Sequence, residues 1–350
     1  MEIYTKLSDY DYHLPKELIA QQPLKNRADA RLLVLHRNTG RMEHRVFSEI
    51  TGYFSPGDFL VLNDTKVIPA RLQGKRAGGA SVEILFIEET DERRWEVLLK
   101  SNAKLKAGEE ISVGDEGVPA RLLDRIEKGK WHIEFDKAYN VRELIHRIGE
   151  MPLPPYIKRD KNKETLSPLD RERYQTVFAR KEGAIAAPTA GLHFTNETLE
   201  EIRTRGVETG FVTLHAGLGT FLPIKTENIL EHHMHKEYYE CTPEVFGTIQ
   251  RTKERRGRVV AAGSTSCRVL ETIAANDGKP PLSGWTDLFI YPPYVFKYVD
   301  VLITNFHLPK TTLLVLVSAF AGRENILNAY ETAKREGYRF FSYGDCMMII

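Results

Sequence analysis

The sequence runs to 350 residues with 42% hydrophobic and 28% charged content, enough chain for two domains and a sizeable core, which excludes a disordered protein. A formal charge of +1 gives no global pull toward nucleic acid, because counterion release needs positive charge set against phosphates, not a balanced total. Three cysteines, Cys241, Cys267 and Cys346, have no paired spacing, so neither a disulfide framework nor a zinc knuckle is indicated and a reducing cytoplasm is expected.

The opening MEIYTKLSDYDY has no basic-then-apolar signal pattern, and the most apolar run, TTLLVLVSAFAG, is too short to cross a bilayer, so no membrane association is expected. The first sixty-odd residues end in GDFLVLNDTKVIPARL, where strand FLVLN leads into Asp64, Thr65 and a second strand-like run. From about 68 to 150, SVEILFIEE, RWEVLLK, EEISVG, VPARLLDRI and KWHIEF alternate with period two between turn residues, the pattern of a small antiparallel barrel or sandwich. MPLPPYIKR is a proline-rich exit. The spacing thus predicts an inserted all-β barrel domain over 68–151 and an α/β main domain over 1–67 and 152–350.

Beyond that boundary helices and strands alternate. NETLEEIRTRG predicts a helix from about residue 196, stopped by Gly206, and VETGFVTLH a strand ending at His215. Thr242 and Pro243 start a helix reaching about 256; RVVAAG is a buried strand and STSCRVLETIAA the next helix, a βαβ-like repeat. WTDLFIY and VDVLITN predict strands, TTLLVLVSAFAG and RENILNAYETAKREG helices, and RFFSYGDCMMII a strand pair or edge. Basic groups gather in KNRADAR, RLQGKR, IKRDKNK and RTKERRGR, but acidic neighbours dilute them, so each reads as a solvated face as readily as a phosphate contact.

Chemistry concentrates in turns. AAPTAGLHFT sets Thr189, Gly191, His193 and Phe194 around a proline-glycine turn, and TLHAGLGTF sets His215, Gly217, Gly219, Thr220 and Phe221 in a glycine-rich loop after a strand. Histidines beside aromatics also serve packing; two such loops in register point to a reactive pocket. In GSTSCRVLE, Ser264, Thr265 and Ser266 open a helix where an anion can be held, with Arg268 as a clamp; plain N-capping with a solvated arginine explains the run equally well. In EHHMHKEYYE, His233, His235 and Glu237 share one face if extended, a spacing that suits a metal. Asn305 and His307 follow an apolar strand in TNFHLPKTTLL, and Asp345 sits in the SYGDC turn. There is no Gly-x-Gly-x-x-Gly opening a helix after a strand, no P-loop lysine and no Gly-x-Ser-x-Gly elbow, which disfavours dinucleotide, nucleoside triphosphate and serine-hydrolase sites.

Taken in order, RLLVLHRNTG, GDFLVLNDTKVIPARL, MPLPPYIKR, RYQTVFA, AAPTAGLHFT, VTLHAGLGTF, HHMHKE, GSTSCRVLE, TNFHLPKTTLLVLVSAFAG and FFSYGDCMMI resemble the S-adenosylmethionine:tRNA ribosyltransferase-isomerases of queuosine biosynthesis, over nearly the whole chain. The resemblance implies an α/β domain around a barrel-like mixed sheet with a small inserted β-barrel. It also implies an activity that composition cannot show. The ribosyl unit of S-adenosylmethionine is transferred and isomerised onto 7-aminomethyl-7-deazaguanine at the tRNA wobble position, giving epoxyqueuosine, adenine and methionine. S-adenosylmethionine is then co-substrate, with no prosthetic group and no metal, and the expected protein is a cytoplasmic monomer whose partner is tRNA.

The chain departs from the family pattern in three places. Leu222 stands between Phe221 and Pro223 where the family commonly has arginine. The usual Gly-Thr-Thr-Ser becomes Gly263, Ser264, Thr265 and Ser266, and Cys346 takes a small-residue slot. The family's His-x-Met-His-x-Glu falls on His232, Met234, His235 and Glu237, leaving His233 at a variable place. With this chemistry in view, His215 or His235 is expected as base or acid, and Glu237 as a partner orienting a histidine or the sulfonium. Ser264, Thr265 and Arg268 are expected on a carboxylate, and Phe194 or Phe221 stacked on a base. Thr189, Gly191, His193, Gly217, Gly219, Thr220, Asn305, His307 and Asp345 complete the expected substrate site, and Arg71, Lys158 and Arg159 are expected on tRNA phosphates. Two rival expectations are a metal-dependent hydrolase using His233, His235 and Glu237, and a non-catalytic RNA-binding protein.

Overall fold

The computed structural model describes residues 4–159, 166–217, 219, 223–275 and 280–350. The chain divides into two compact units, one of Met1–Lys66, Pro154–Lys158 and Gln175–Ile350, the other of Val67–Leu153 and Arg159–Tyr174.

The first unit is built on a nine-stranded mixed sheet. In spatial order its strands are Ser283–Thr286, Glu237–Cys241, Glu208–Leu214, Phe59–Asn63, Val259–Ala262, Val301–Asn305, Cys346–Ile349, Arg31–Leu35 and Met42–Val46. Four neighbours, from Glu208–Leu214 to Val301–Asn305, run parallel. Their carboxyl ends, Leu214, Asn63, Ala262 and Asn305, therefore reach the same end of the sheet, where open α/β sheets hold ligands.

Phe59–Asn63, Val259–Ala262 and Val301–Asn305 are buried at every position because both of their faces are covered. Alternation sends Phe59, Val61, Val259 and Ala261 into one core and Leu60, Leu62, Val260 and Ala262 into the other. Burying each of the larger side chains contributes about 1.5–3 kcal/mol before chain entropy is set against it. The predicted βαβ repeat is present: Val259–Ala262 leads through helix Ser264–Ala275 to the parallel strand Val301–Asn305. Threonine hydroxyls cap three helices. Thr195 accepts from Thr198 N–H ahead of Asn196–Thr204, Thr242 from Val245 N–H ahead of Pro243–Glu254, and Thr311 from Leu314 N–H ahead of Thr312–Ala321.

Two expected strands are corrected. In RFFSYGDCMMII only Cys346–Ile349 is a strand, and it is interior, antiparallel to Val301–Asn305 and parallel to Arg31–Leu35. Phe341, at φ 71°, turns the chain in a way no strand can continue. In WTDLFIY the ladder stops at Thr286. The Thr286 hydroxyl accepts from Leu288 N–H, and Arg268 donates to the carbonyls of both Thr286 and Leu288, so these carbonyls serve a side chain instead of a ladder.

The second unit is a closed antiparallel barrel of Arg71–Arg76, Ser81–Asp91, Arg94–Ser101, Glu110–Val113, Val118–Glu127 and Lys130–Phe135. Period-two alternation turns Val82, Ile84 and Phe86, Trp95 and Val97, and Ile133 and Phe135 inward. Closure leaves no edge strand exposed to pairing. Helices Val141–Ile148 and Leu166–Arg173 complete the unit.

Candidate active site

At the carboxyl ends of the parallel strands, a pocket of about 70 Å³ is lined by residues 187–190, 263–265 and 304–308, with Ala216, Tyr156, Phe341 and Ser342 on its walls. Among the described residues its lining contains no lysine, arginine, aspartate or glutamate. Gly263 makes this geometry available: at φ 94° it turns strand Val259–Ala262 directly into helix Ser264–Ala275, a conformation L side chains rarely adopt. The first turn of that helix, carrying Ser264 and Thr265, is thereby placed on the pocket wall.

Asn305, at the last position of its strand, is 2% exposed. Its Nδ2 donates toward His193 Nε2 at 3.1 Å, Phe341 O at 3.2 Å and Asp345 O at 3.3 Å. Three acceptors around the nitrogen fix the orientation of the amide. Asn305 Oδ1 and Thr265 Oγ1 are buried without a hydrogen-bond partner. Phe341, in left-handed backbone, stacks on Tyr156 with ring centroids 4.6 Å apart. A non-glycine residue there stores about 1–3 kcal/mol of strain, of the kind that collects at ligand clamps. Tyr156 shares a hydrogen bond of 2.7 Å with Ser342, and burial pushes its phenol up to about 12.

Two of the expected histidines are buried and uncharged. His193 and His307 are 5% and 7% exposed, and loss of hydration lowers each to about 3. For His193 the Arg27 and Arg339 charges add to that effect. His193 leans on Phe47 at 5.3 Å and supports Asn305 from behind, while His307 lines the pocket with Nε2 bonded to the Thr304 hydroxyl at 2.7 Å.

His215 sits one residue before Ala216 of the pocket lining. Its Nδ1 shares a 2.8 Å hydrogen bond with the Thr65 hydroxyl, and its ring stacks near Tyr238. Gly183 is needed against it, since a Cβ there would stand 2.8 Å from Nε2. Burial, reinforced by Lys181, lowers the His215 pKa against the opposing pull of Asp64 and Glu240. His235 is exposed and lies beside Gly219, where a Cβ would come within 2.7 Å of its ring.

The remaining candidates divide sharply. Thr189 and Ser264 line the pocket with Thr265, Asn305 and His307. Glu237 and Arg268 do not: they form a buried ion pair, 3% and 6% exposed at the side chains. Glu237 also accepts the Gly217 N–H at 3.0 Å. The expectation that Arg268 clamps a ligand carboxylate is therefore corrected, because its guanidinium is committed to Glu237 and two carbonyls. Phe194 is fully buried, edge-on to Phe47 at 4.9 Å, and offers no face to a base. Gly191 is buried where a Cβ would meet Thr176 and Phe178. Asp345 accepts the N–H groups of Arg31 and Arg339, a turn-holding role in which burial raises its carboxyl. Thr220 and Phe221, with Leu222, lie outside the described residues.

Of the phosphate candidates, Arg159 forms a bidentate pair with Asp170 at 2.6 and 2.7 Å, and Arg71 donates to Leu153 O within the barrel unit. Lys158 is exposed. His233 and His235 precede the strand that begins at Glu237, and both are exposed whereas Glu237 is buried. Among the described residues no group of three or more His, Cys, Asp or Glu is placed to hold a metal ion, nor is any helix long and apolar enough to cross a membrane.

Sequence reasoning missed Tyr156, Thr304, Phe341, Ser342 and Thr65. Thr65 carried a signal, a hydroxyl following the end of strand FLVLN; the stacked Tyr156–Phe341 pair carried none, being assembled from distant segments.

A pocket of uncharged polar groups at the carboxyl end of a mixed sheet, rimmed by a helix N-terminus and a strained aromatic turn, defines an α/β enzyme that binds a small polar molecule. A family model described as "Queuosine biosynthesis protein" matches residues 7–349. An S-adenosylmethionine:tRNA ribosyltransferase-isomerase of Desulforamulus reducens is 50% identical over 348 residues, covering 99% of this chain and 100% of the relative. A crystal structure of the S-adenosylmethionine tRNA ribosyltransferase from Thermotoga maritima is 40% identical, with a TM-score of 0.56 over 98% of this chain and 100% of that one. The chain belongs to the queuosine biosynthesis protein family.

Proposed function

We propose that this chain transfers and isomerises the ribosyl unit of S-adenosylmethionine onto 7-aminomethyl-7-deazaguanine in tRNA, releasing adenine and methionine and leaving epoxyqueuosine. The observation that carries the reading is the uncharged pocket with unpaired hydrogen-bonding atoms at the sheet's carboxyl end, in a chain half identical over its full length to a relative bearing that activity's name.

The donor's charge dictates the chemistry. A sulfonium acidifies its 5′-methylene, so a base removes that proton, adenine leaves, and the nucleobase amine attacks the electrophilic sugar. Methionine departs as the epoxide closes. His215 is the better candidate base. Its lowered pKa keeps it neutral near pH 7, Thr65 fixes its ring, and its neighbour Ala216 lines the pocket. His235 is the second candidate, beside Gly219 of the glycine loop. Glu237 acts as a positioning residue, holding that loop through Gly217. Thr189, Ser264 and His307 join Thr265 and Asn305 in seating the co-substrate. Lys158 remains the exposed cation for a tRNA phosphate. Action in a reducing cytoplasm is supported by three buried, free cysteines.

Incubation with S-adenosylmethionine and tRNA carrying the aminomethyl base, followed by mass spectrometry, tests the proposal. Equimolar adenine and methionine are expected; S-adenosylhomocysteine instead would mean methyl transfer, and an intact donor would leave only RNA binding.

A further inference from the structure

We infer that the pocket at the start of helix Ser264–Ala275 is the seat of the α-amino-carboxylate end of the co-substrate, with Thr265 on the carboxylate and Asn305 on the ammonium. This rests on the reading of the pocket as the S-adenosylmethionine site and goes beyond it by assigning which end of that molecule enters.

Size permits this. The pocket leaves about 70 Å³ for the centres of water-sized groups, room for an amino-acid head group of a few non-hydrogen atoms. The adenosine and the sulfonium then extend from the mouth.

Polarity decides next. The first intrahelical bond runs from Cys267 N–H to Gly263 O at 3.1 Å, so the amides of Ser264, Thr265 and Ser266 precede it at the positive end of the helix dipole. Two buried polar atoms independently call for a ligand. The Thr265 hydroxyl and Asn305 Oδ1 lack hydrogen-bond partners, and their residues are 9% and 2% exposed. A hydroxyl beside free amides suits a carboxylate. Asn305 Oδ1 is by contrast held as an acceptor, because Nδ2 faces His193, Phe341 O and Asp345 O; it needs a donor, and an ammonium supplies one.

Charge is consistent with this. Arg268 and Glu237, which otherwise suit a zwitterion, neutralise each other away from the lining. A pocket with no net charge matches a head group with none.

The test uses the full-length chain with unmodified tRNA, so that no turnover occurs, and L-methionine, adenine and decarboxylated S-adenosylmethionine as probes. L-methionine is expected to compete with S-adenosylmethionine, and adenine is not. Thr265→Val should weaken both L-methionine and S-adenosylmethionine by about tenfold or more, the effect of losing a hydrogen bond to a charged group. Binding of decarboxylated S-adenosylmethionine should be the same in both proteins. The melting temperature should hold or rise, since the lost hydroxyl bonds nothing in the protein. Unchanged L-methionine affinity in Thr265→Val, or displacement by adenine instead, overturns the assignment while leaving the pocket as the donor site. Failure of the wild-type chain to bind S-adenosylmethionine removes the functional reading itself, and this inference with it.

Discussion

Arg268 reaches from helix Ser264–Ala275 to the carboxylate of Glu237 on the adjoining strand, and the pairing is almost completely shut off from water. Both residues read from sequence as ligand contacts; paired, they anchor the helix that lines the pocket to the strand that follows the glycine loop. Removing one partner leaves a buried charge uncompensated, which costs about 3–5 kcal/mol. Glu237→Gln should therefore lower the unfolding free energy by that order, read from a reduced urea midpoint, and Arg268→Met added to it should recover part of the loss. A Glu237→Gln protein that melts like wild type while losing turnover would argue for a direct chemical role.

His215→Ala should reduce turnover by roughly a hundredfold or more if His215 removes the proton. A reduction below about threefold would pass the role to His235. The pKa of His215 lies below its usual value, so the base stays deprotonated to lower pH and the acid limb of the kcat/KM profile should fall below the ordinary histidine range. Lys181 contributes to that depression. Lys181→Met should move the limb upward, read from initial rates across pH.

Acid stability depends on His193 and His307. Each is lowered to about 3 in the folded chain from an ordinary 6.5, so between those values the unfolded chain binds more protons than the native one. The stabilisation is complete above the unfolded pKa and is lost as pH falls through the window. The loss is about 1.4 kcal/mol per pH unit for each histidine. Urea unfolding at pH 7 and pH 5 should show it, and His193→Gln should reduce the pH dependence by about one proton.

Phe194→Ala should behave as a core mutation. Loss of a fully buried ring costs about 3–5 kcal/mol, and at temperatures where the variant remains folded its KM for S-adenosylmethionine should match wild type. A selective rise in KM would instead restore a stacking role.

Salt dependence of tRNA binding separates the basic candidates. Lys158→Ala should reduce the slope of log affinity against log salt by about one unit if Lys158 meets a phosphate. Arg159→Ala, which strands Asp170, should leave the slope alone and destabilise the protein.

The fold was legible wherever one physical period dominated. Strict alternation from Ser81 to Phe135 specified barrel strands, and unbroken apolar runs such as Phe59–Asn63 specified strands covered on both faces. The Thr242–Pro243 pair marked the start of one helix. The site was legible only as far as residue type implies position. Thr189, Ser264, Thr265, Asn305 and His307 fell in the pocket because strand-end turns put them there. Arg268 and Asp345 were misjudged because a charged residue in sequence does not announce its partner: Glu237 is 31 residues away, and Arg31 lies 314 residues from Asp345. Phe194 looked like a stacking platform but found Phe47 instead.

That last separation bears on how the chain reaches its native state. The pairing of Arg31–Leu35 with Cys346–Ile349 requires closure of nearly the longest loop the polypeptide can form, and parallel non-local pairing of this kind is slow. The barrel strands, joined to near neighbours in sequence, have no such delay. We expect refolding to proceed in at least two kinetic stages, barrel amides gaining hydrogen-exchange protection first and those of Leu32–Leu35 last, with the large sheet left open to aggregation in the interval.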